Sequence, residues 1–204
     1  MSFIIGANSA VAGGFDIDNS CRFDGSSSHI YKTPAGTSDR DKWTWSAWVK
    51  RSKLTTDQNL FTGYEASTTY TQIKFDTSDR LNFANKISGA WAGELQTTRK
   101  FRDTSNWYHI VCIYDSGNGT AGDRMIMYVN GVRETVFTGT DIPTVNIDSS
   151  VNWVSRPMYV GSWGQTSIYF NGYIAEVVFI DGQALAATSF GEFDEDSGIW
   201  KPID

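Results

Sequence analysis

The sequence predicts an all-β protein: a two-sheet antiparallel β-sandwich in the jelly-roll arrangement, with one short C-terminal helix and extended terminal arms. Three features of the composition favour this fold. Aromatic residues make up 14% of the chain, and such side chains suit the pleated, half-buried surface of a strand. Leucine, on which helical bundles depend, occurs at only five positions. Nineteen glycines against four prolines fit a chain with many tight turns.

The length of the chain indicates how many domains it has, and its charge excludes some classes of binding partner. A chain of 204 residues has the size of one domain, and we expect an N-terminal arm over 1–20, the sandwich over 21–190 and a C-terminal tail over 191–204. The net charge of −6 does not suit a phosphate backbone, so no nucleic acid partner is expected. No apolar run approaches the ~18 residues of a membrane helix, so no membrane insertion is expected. Met1–Gly6 is too short and uncharged for a signal peptide.

Dipeptides of Asn or Asp followed by Gly mark the expected turns, because Asn and Asp tolerate a positive φ and Gly adopts one without steric cost. They are Asp24-Gly25, Asn118-Gly119, Asn130-Gly131, Asn171-Gly172 and Asp181-Gly182. Ala-rich composition replaces alternation in Gln183–Phe190, which predicts the one short helix.

The runs between these turns have the hydrophobic patterns of strands. In the run Lys42–Arg51, Trp43, Trp45, Ala47 and Val49 share one face, so that face is expected to lie in the core. Two further runs are apolar on both faces, as in the central strands of a two-sheet stack. The predicted strands are, in order, Cys21–Asp24, His29–Thr33, Lys42–Arg51, Leu60–Tyr64, Thr71–Asp76, Leu81–Ala84, Leu95–Phe101, Trp107–Asp115, Asp123–Asn130, Met158–Gly161 and Tyr173–Ile180, of which Trp107–Asp115 and Tyr173–Ile180 are the two central ones.

Two motifs that resemble catalytic or cofactor signatures lack the context that their chemistry needs. Gly117–Gly122 matches G-x-G-x-x-G, but that fingerprint binds a dinucleotide only where it opens a helix, whereas a strand follows here. It is therefore interpreted as a hairpin loop. The acidic run Glu192–Asp196 has no flanking strand pattern, and charge runs are usually solvated, so an exposed acidic turn is expected.

The sequence offers few residues for nucleophilic catalysis. It contains two histidines, His29 and His109, and two cysteines, Cys21 and Cys112. His109 lies in an aromatic strand, where a hydrogen-bonded structural histidine is expected rather than a base. We expect both thiols to be free and buried, because nothing indicates an oxidising compartment. A disulfide between Cys21 and Cys112 stays open as the alternative, since the fold could bring the two residues together. A Cys/His site stays open at this point, because such partners need to be adjacent only in space.

Aromatic residues outside the alternating strands are the candidate ligand-binding residues. Trp91 and Trp163 lie among Gly, Ala and Ser, without the neighbours of a core strand. A tryptophan presents a large, rigid face at low entropic cost, which suits stacking on a sugar or a protein partner. The alternative, that each ring covers the core as a lid, is left open. Tyr70 is the third candidate for binding a glycan or partner. A core position is instead expected for the strand residues Trp43, Trp45 and Trp107.

Five motifs in order resemble laminin-G-like domains of the concanavalin A-like lectin/glucanase superfamily. The subset that they resemble most occurs in virion proteins of tailed bacteriophages, and the segments Phe3–Ser20 and Gln183–Pro202 are similar to the ends of those phage domains. The motifs are Cys21–Pro34, Trp43–Arg51, Phe101–Asp115, Asp123–Arg133 and Phe170–Gly182.

The resemblance implies a jelly roll but does not fix a function, because the fold hosts lectins, hydrolases and structural modules. The superfamily's hydrolases carry an E-x-D-x-E-type signature on a strand, whereas Glu176 stands alone in its predicted strand. Some laminin-G-like domains bind calcium. Calcium is therefore a cofactor that the resemblance allows, although no residue of this sequence is matched to its ligands, and no other cofactor or metal is expected.

We expect a non-enzymatic virion protein, a lectin-like module exposed on the particle surface that aids attachment to host glycans as a fibre or decoration. A purely architectural capsid decoration or tail-associated protein is the first alternative, with the terminal arms contacting other virion proteins. A glycan hydrolase is the second alternative, and Glu176 and Glu192 are the carboxylates that would test it. A homo-oligomer is expected, because surface modules commonly form closed symmetric assemblies.

Overall fold

The computed structural model describes residues 17–164 and 167–203, and these residues form the predicted sandwich of two antiparallel sheets. Most of the expected N-terminal arm, residues 1–16, lies outside the described residues, and residues 17–20 belong to no helix or strand. The strands are, in chain order, β1 Cys21–Asp24, β2 Ile30–Lys32, β3 Lys42–Arg51, β4 Gln58–Ala66, β5 Thr69–Phe75, β6 Arg80–Ile87, β7 Ala90–Lys100, β8 Tyr108–Asp115, β9 Met125–Val129, β10 Val132–Arg133, β11 Phe137–Asp141, β12 Met158–Val160, β13 Asn171–Asp181, β14 Gly191–Phe193 and β15 Trp200–Pro202.

Two large sheets enclose the core. The six-stranded sheet has the order β1-β13-β3-β8-β9-β10, and the seven-stranded sheet has the order β11-β7-β6-β5-β4-β12-β2. A separate hairpin pairs β14 with β15. The predicted all-β fold is therefore confirmed, and each predicted strand has a counterpart within a few residues. The sequence reasoning missed four strands: the two-residue strand β10, the exposed edge strand β11, and the short strands β14 and β15.

The alternation of β3 places its tryptophans as predicted. Trp43, Trp45, Ala47 and Val49 are completely buried between the sheets. The Trp43 ring stacks on Tyr114 of the neighbouring β8, with the ring centroids 5.7 Å apart. The prediction that Trp107 is a core residue of a strand is wrong. Trp107 precedes β8, and its side chain is only half-buried. The central position of β8 is confirmed, since all eight of its residues are buried.

The C-terminal segment differs from the prediction. The expected helix over Gln183–Phe190 is reduced to one 3₁₀ turn, Ala187–Ser189, because eight residues are too few for a helix without tertiary support. The expected tail over 191–204 contains the hairpin of β14 and β15. Trp200 from β15 packs with Val111 of β8 on the outer face of the six-stranded sheet. The C-terminal hairpin therefore covers that face.

The Asn-Gly and Asp-Gly pairs do not all form turns. Asn130 and Gly131, with φ of 49° and 77°, make the tight connection from β9 to β10. The turn predicted at Asn171-Gly172 is wrong, because both residues lie in β13 and pair with β1. A Cβ on Gly172 would overlap the carbonyl oxygen of Lys50, so glycine is needed there for a close approach of two strands rather than for a turn.

A buried ion pair joins the two sheets. The guanidinium of Arg51 donates to Asp79 over 3.0 Å and to the carbonyl of Phe101 over 2.6 Å, and both charged side chains are completely buried. Asp79 also accepts from the exposed Arg102 over 3.0 Å and from the backbone N–H of Thr55 over 2.7 Å. Since both oxygens of Asp79 have partners, the charge is compensated within the fold.

Candidate functional site

The three predicted ligand-binding residues, Trp91, Trp163 and Tyr70, lie together on the outer face of the seven-stranded sheet. Cross-strand pairing forms one row of side chains, in which Tyr64 lies opposite Tyr70, Tyr70 opposite Lys86 and Lys86 opposite Trp91. Residues directly opposite on neighbouring strands share a face of the sheet. We name the group Tyr64, Tyr70, Lys86, Trp91 and Trp163 the aromatic patch.

Tyr70 is the buried centre of the aromatic patch. Its ring meets Trp163 edge to face at 5.6 Å and Trp91 edge to face at 6.5 Å between centroids. The Lys86 ammonium lies 4.8 Å from the centre of the Trp91 ring, a cation–π distance. Trp91 remains 43% exposed, whereas Tyr70 is 8% exposed. The patch thus presents Trp91 to solvent and supports it from the side through Tyr70.

A tight turn after β12 positions Trp163. The Thr62 hydroxyl donates to the carbonyl of Ser162 over 3.1 Å, which fixes the turn above the outer face of the sheet. Gly161 has a φ of 83°, and a Cβ there would overlap the ring of Phe23, so this position requires glycine. The backbone N–H of Trp163 donates to the carbonyl of Ser167 over 3.0 Å. The ring of Trp163 is thereby held against Tyr64, with centroids 5.1 Å apart.

A row of polar side chains lies beside the aromatic patch, on the same outer face of the seven-stranded sheet. The amide of Gln72 donates to Asn82 over 3.2 Å, and the amide of Asn82 donates to Glu94 over 2.8 Å. Burial raises the pKa of Tyr70, and the negative charge of Glu94 raises it further. Glu94 is therefore close to the aromatic patch, and its second carboxylate oxygen is an additional acceptor.

A second aromatic group lies near the other edge of the seven-stranded sheet. Tyr31 of β2 and Tyr159 of β12 are directly opposite, with ring centroids 6.0 Å apart. The ring of His29 lies about 6 Å from each of them and from Tyr169. Because Tyr159 is opposite Thr62, these rings share the outer face with the aromatic patch.

His109 is a structural residue, as predicted. It is 1% exposed, and burial lowers the pKa of its imidazole to about 4. The indole N–H of Trp200 donates to Nδ1 over 2.9 Å, so Nδ1 is an acceptor and Nε2 carries the proton. Nε2 then donates to the Ser46 hydroxyl over 2.9 Å. A base that activates a serine needs an unprotonated nitrogen facing the hydroxyl, so this arrangement is unsuited to nucleophilic catalysis.

The cysteines do not form a site with a histidine. Cys112 is completely buried in the core, and burial raises the pKa of its thiol. Since His109 faces the C-terminal hairpin, the two residues lie on opposite faces of β8. Both cysteines are free, but the prediction that both are buried is wrong for Cys21, which is exposed on the edge strand β1.

The two candidate acids of the hydrolase alternative, Glu176 and Glu192, are both exposed and lie on different strands. Glu176 is exposed at a bulge in β13. Glu192 is exposed on β14 and pairs with Lys201 over 3.3 Å. Among the described carboxyl groups, a raised pKa is found at Asp41, chiefly because it shares a hydrogen bond with Asp39. Carboxyl groups in direct contact leave no space between them for the ~5–9 Å that separates the two acids of a glycosidase.

The other sequence motifs behave as loops. Gly117–Gly122 lies in the connection from β8 to β9, and the short 3₁₀ turn Ala121–Asp123 is the helical element that it contains. In the acidic run, Asp194 accepts hydrogen bonds from Ser197, and these bonds lower the pKa of Asp194 to about 2. This is the exposed acidic turn that was predicted, closed here by the two strands of the hairpin.

The described residues, 17–164 and 167–203, contain neither a cluster of metal-ligating side chains nor a helix that could span a membrane. In these ranges, no group of three or more His, Cys, Asp or Glu side chains is arranged to hold a metal ion. Neither 3₁₀ turn of the described chain, nor any other helix in it, has the length and apolarity to cross a membrane.

Sequence reasoning missed five members of this surface. Their positions alternate with core residues along β5 and β6, for example Gln72 beside the buried Ile73. This period of two indicates that these residues lie on the outer face of the sheet. It does not indicate which strands pair, or in which register, and the pairing is what brings the residues together. The missed residues are Tyr64, Gln72, Asn82, Lys86 and Glu94.

A comparison with protein families matches residues 24–188 to a laminin G model, Laminin_G_3, described as the concanavalin A-like lectin/glucanases superfamily. A search of curated proteins finds no match.

Solved structures share the fold at low sequence identity. Domain 4 of the extracellular arabinanase AbnA from Geobacillus stearothermophilus, in complex with arabinotriose, has a TM-score of 0.61 and 22% identity over 81% of this chain and 72% of its own. The heptameric SAP-like pentraxin of Limulus polyphemus has a TM-score of 0.59 and 15% identity over 82% and 77%. The CBM40 of the Ruminococcus gnavus IT-sialidase, bound to α2,3 sialyllactose, has a TM-score of 0.55 and 12% identity over 81% and 97%.

Proposed function

The chain belongs to the laminin G family of the concanavalin A-like lectin/glucanases superfamily, and from this we propose that it is a non-catalytic carbohydrate-binding module whose aromatic patch binds a glycan. The observation that carries the proposal is the convergence of Tyr70, Trp91 and Trp163 on one face of the seven-stranded sheet. Two solved structures of the same fold support it, because one is in complex with arabinotriose and the other is bound to α2,3 sialyllactose.

The chemistry of the patch suits a sugar. Trp91 offers an exposed, rigid ring for the apolar face of a pyranose or furanose. Lys86 and Glu94 supply a charged donor and acceptors beside that ring for hydroxyl groups. A few placed polar groups around aromatic rings are the usual composition of a small-ligand site. The exposed ring of Trp91 suits stacking on one face or the end of an oligosaccharide.

A catalytic role receives less support from the same residues. The polar row beside Trp91 contains a carboxylate, Glu94, held by the amide of Asn82. Hydrolysis needs a second carboxyl group across the scissile bond, one of the pair kept protonated by its surroundings. The described carboxyl group with a raised pKa, Asp41, belongs to the loop before β3 and not to this face.

Glycan-array binding followed by calorimetry tests the proposal with purified protein. Trp91→Ala is expected to weaken binding about tenfold or more, as for an aromatic residue that carries much of an interface's energy. Tyr173→Ala is the matched control, because Tyr173 is similarly exposed, at 38%, but lies on the six-stranded sheet. Equal binding by both variants, or no binding by the wild type, would refute the proposed site. Release of shorter oligosaccharides by the wild type would instead support a hydrolase.

The finer proposal is that this module is exposed on a tailed-bacteriophage particle and contacts host glycans. It rests on the resemblance of five ordered motifs to phage virion domains. Mass spectrometry and antibody labelling of purified particles would test it. Particle incorporation without glycan binding would favour the architectural alternative, whereas absence from particles would overturn both virion roles.

A further inference from the structure

The strand β13 contains a bulge that holds a glutamate in a strained conformation. Its pairing with β3 is regular up to Ala175 and resumes at Val178, so residues 176 and 177 face a single residue of β3. Glu176 has a φ of 47°, in the left-handed region that residues with a Cβ rarely adopt. Glycine would adopt this φ without steric cost, so the strain comes with the side chain. Strain of this kind is concentrated at ligand-binding and active sites.

A recess lies beside the bulge, on the outer face of the six-stranded sheet. Its volume is about 240 Å³, somewhat below the roughly 300–1,000 Å³ of pockets for drug-sized ligands, so it has room for a small molecule. We name it the bulge pocket. Its lining includes Ser46 and Trp48 of β3, His109 of β8, Glu176 of β13, and Phe190 and Pro202 of the C-terminal segment that covers this face.

A buried hydroxyl in the bulge pocket has a hydrogen without an acceptor. The Ser46 oxygen accepts the Nε2–H of His109, because Nδ1 of that ring accepts the indole N–H of Trp200. The hydroxyl therefore keeps its own hydrogen. Ser46 is 2% exposed, and no atom in the described part of the chain accepts this hydrogen. A buried donor without an acceptor costs free energy, and an oxygen of a ligand in the pocket would satisfy it.

The bulge pocket carries a negative charge and no compensating positive charge. Glu176 is exposed, and it takes part in none of the salt bridges found among the residues that the structure describes. Lys201 of β15 is already paired with Glu192 and Asp194, each over 3.3 Å. Burial lowers the pKa of His109 to about 4, so this ring is neutral in neutral solution. A positively charged group of a ligand would therefore meet the carboxylate of Glu176 without an opposing charge from these groups.

We propose that the bulge pocket binds the ammonium group of a small polyhydroxy amine, of which an amino sugar is the simplest example. The carboxylate of Glu176 pairs with the ammonium group, and the rings of Trp48 and Phe190 contact the apolar face of the ligand. A ligand hydroxyl accepts the hydrogen of Ser46. This site is separate from the aromatic patch, which lies on the seven-stranded sheet, and it does not depend on the function proposed for that patch.

Calorimetry of the full chain with glucosamine, N-acetylglucosamine and glucose tests the proposal at about pH 6.5, where an amine is protonated. The three sugars share a ring, but glucosamine alone carries a positive charge. It is expected to bind about fivefold or more tightly than the other two. Glu176→Gln should abolish this preference. Glu195→Gln, which removes the same charge from the exposed acidic turn, should retain it. Equal affinity of the wild type for the three sugars, or no binding of glucosamine, would overturn the proposal.

Glu176→Gly separates a ligand-binding role from a structural one. Because glycine relieves the strain at a φ of 47°, the melting temperature should rise by about 2–4 °C while the preference for glucosamine is lost. Ser155→Gly is the matched control, since Ser155 is exposed and has a φ of 60°. It should relieve similar strain and keep the preference. A lower melting temperature in Glu176→Gly would show that the side chain stabilises the fold, and would overturn the proposal.

NMR of the wild type locates the amine without a substitution. Glucosamine is expected to shift the indole signal of Trp48 and to leave that of Trp91 in place. A shift at Trp91 without one at Trp48 would place the amine on the aromatic patch and overturn the proposal. Failure at Trp48 leaves the glycan-array test of the aromatic patch unaffected, because the two sites lie on different sheets.

Discussion

Protonation of His109 is expected to destabilise the protein in mildly acidic solution. The ring is buried beneath the C-terminal hairpin, between the indole of Trp48 at 4.8 Å and that of Trp200 at 5.9 Å. In the neutral form, Nδ1 accepts the hydrogen bond of Trp200. A proton on Nδ1 would remove this acceptor and leave a charge among aromatic rings. The folded protein therefore resists protonation, and the pKa of His109 falls from 6.5 to about 4.

The direction and size of the effect follow from that pKa. Because the folded pKa is lower than the unfolded one, the unfolded chain binds a proton first as the pH falls below 6.5. The stabilisation is thus complete above pH 6.5 and declines between pH 6.5 and pH 4. From pH 7.5 to pH 5 the free energy of unfolding should fall by about 2 kcal/mol, and the full loss near pH 4 is about 3 kcal/mol.

Urea unfolding at a series of pH values measures this loss. The sequence has two histidines, so His29→Gln is the control, and the fall should persist in that variant. In the His109→Gln variant the fall in the free energy of unfolding should nearly vanish, because no titrating ring remains beneath the hairpin. NMR titration of the wild type checks the same point without a substitution, with the His109 ring expected to stay neutral down to about pH 5. A stability that is flat from pH 7.5 to pH 5, or a His109 that titrates near 6.5, would refute the reasoning.

Three further predictions concern stability and reactivity. Asp79→Ala should lower the free energy of unfolding by about 3–5 kcal/mol, because it leaves the Arg51 charge buried and unpaired. Asp57→Ala, which breaks a partly exposed pair with Lys74, should cost less than about 1 kcal/mol, and equal losses would contradict the argument. Gly161→Ala should destabilise the protein by more than about 1 kcal/mol in thermal unfolding, since its φ is 83° and the added Cβ would overlap Phe23. The control Gly36→Ala meets nothing within 4 Å and should be nearly neutral. A thiol reagent should modify Cys21 alone in the native protein and both cysteines after unfolding, and rapid native modification of Cys112 would disprove its burial.

The sequence predicted the fold well where one physical signal dominated. β3 was located residue for residue, because its alternating tryptophans leave little doubt about which face is buried. β8 was identified by the opposite signal, an apolar run on both faces, since it lies between the core and the C-terminal hairpin. Local patterns of this kind depend on a strand's own residues and can be read from the chain.

The prediction failed where distant residues decide the conformation. Gly172 was interpreted as a turn residue, but it permits the close approach of Lys50 from another strand. The segment after β13 was expected to be a helix and a tail, but Ala187 and Trp200 pack on Val111 and Ile113 of β8 instead. Composition alone does not reveal such contacts, because tertiary packing overrides the weak helical preference of a short segment.

One extra residue in β7 determines how the aromatic patch is assembled. Along β6 and β7, Asn85 lies opposite Gly93, and regular pairing would then place Lys86 opposite Ala92. A bulge instead brings Trp91 opposite Lys86, so the indole lies on the outer face beside Tyr70. Without the bulge, Trp91 would point into the core, and the lid interpretation left open by the sequence would apply. The choice between a core residue and an exposed ring was thus decided by the register of one hairpin, which no pattern within residues 88–93 records.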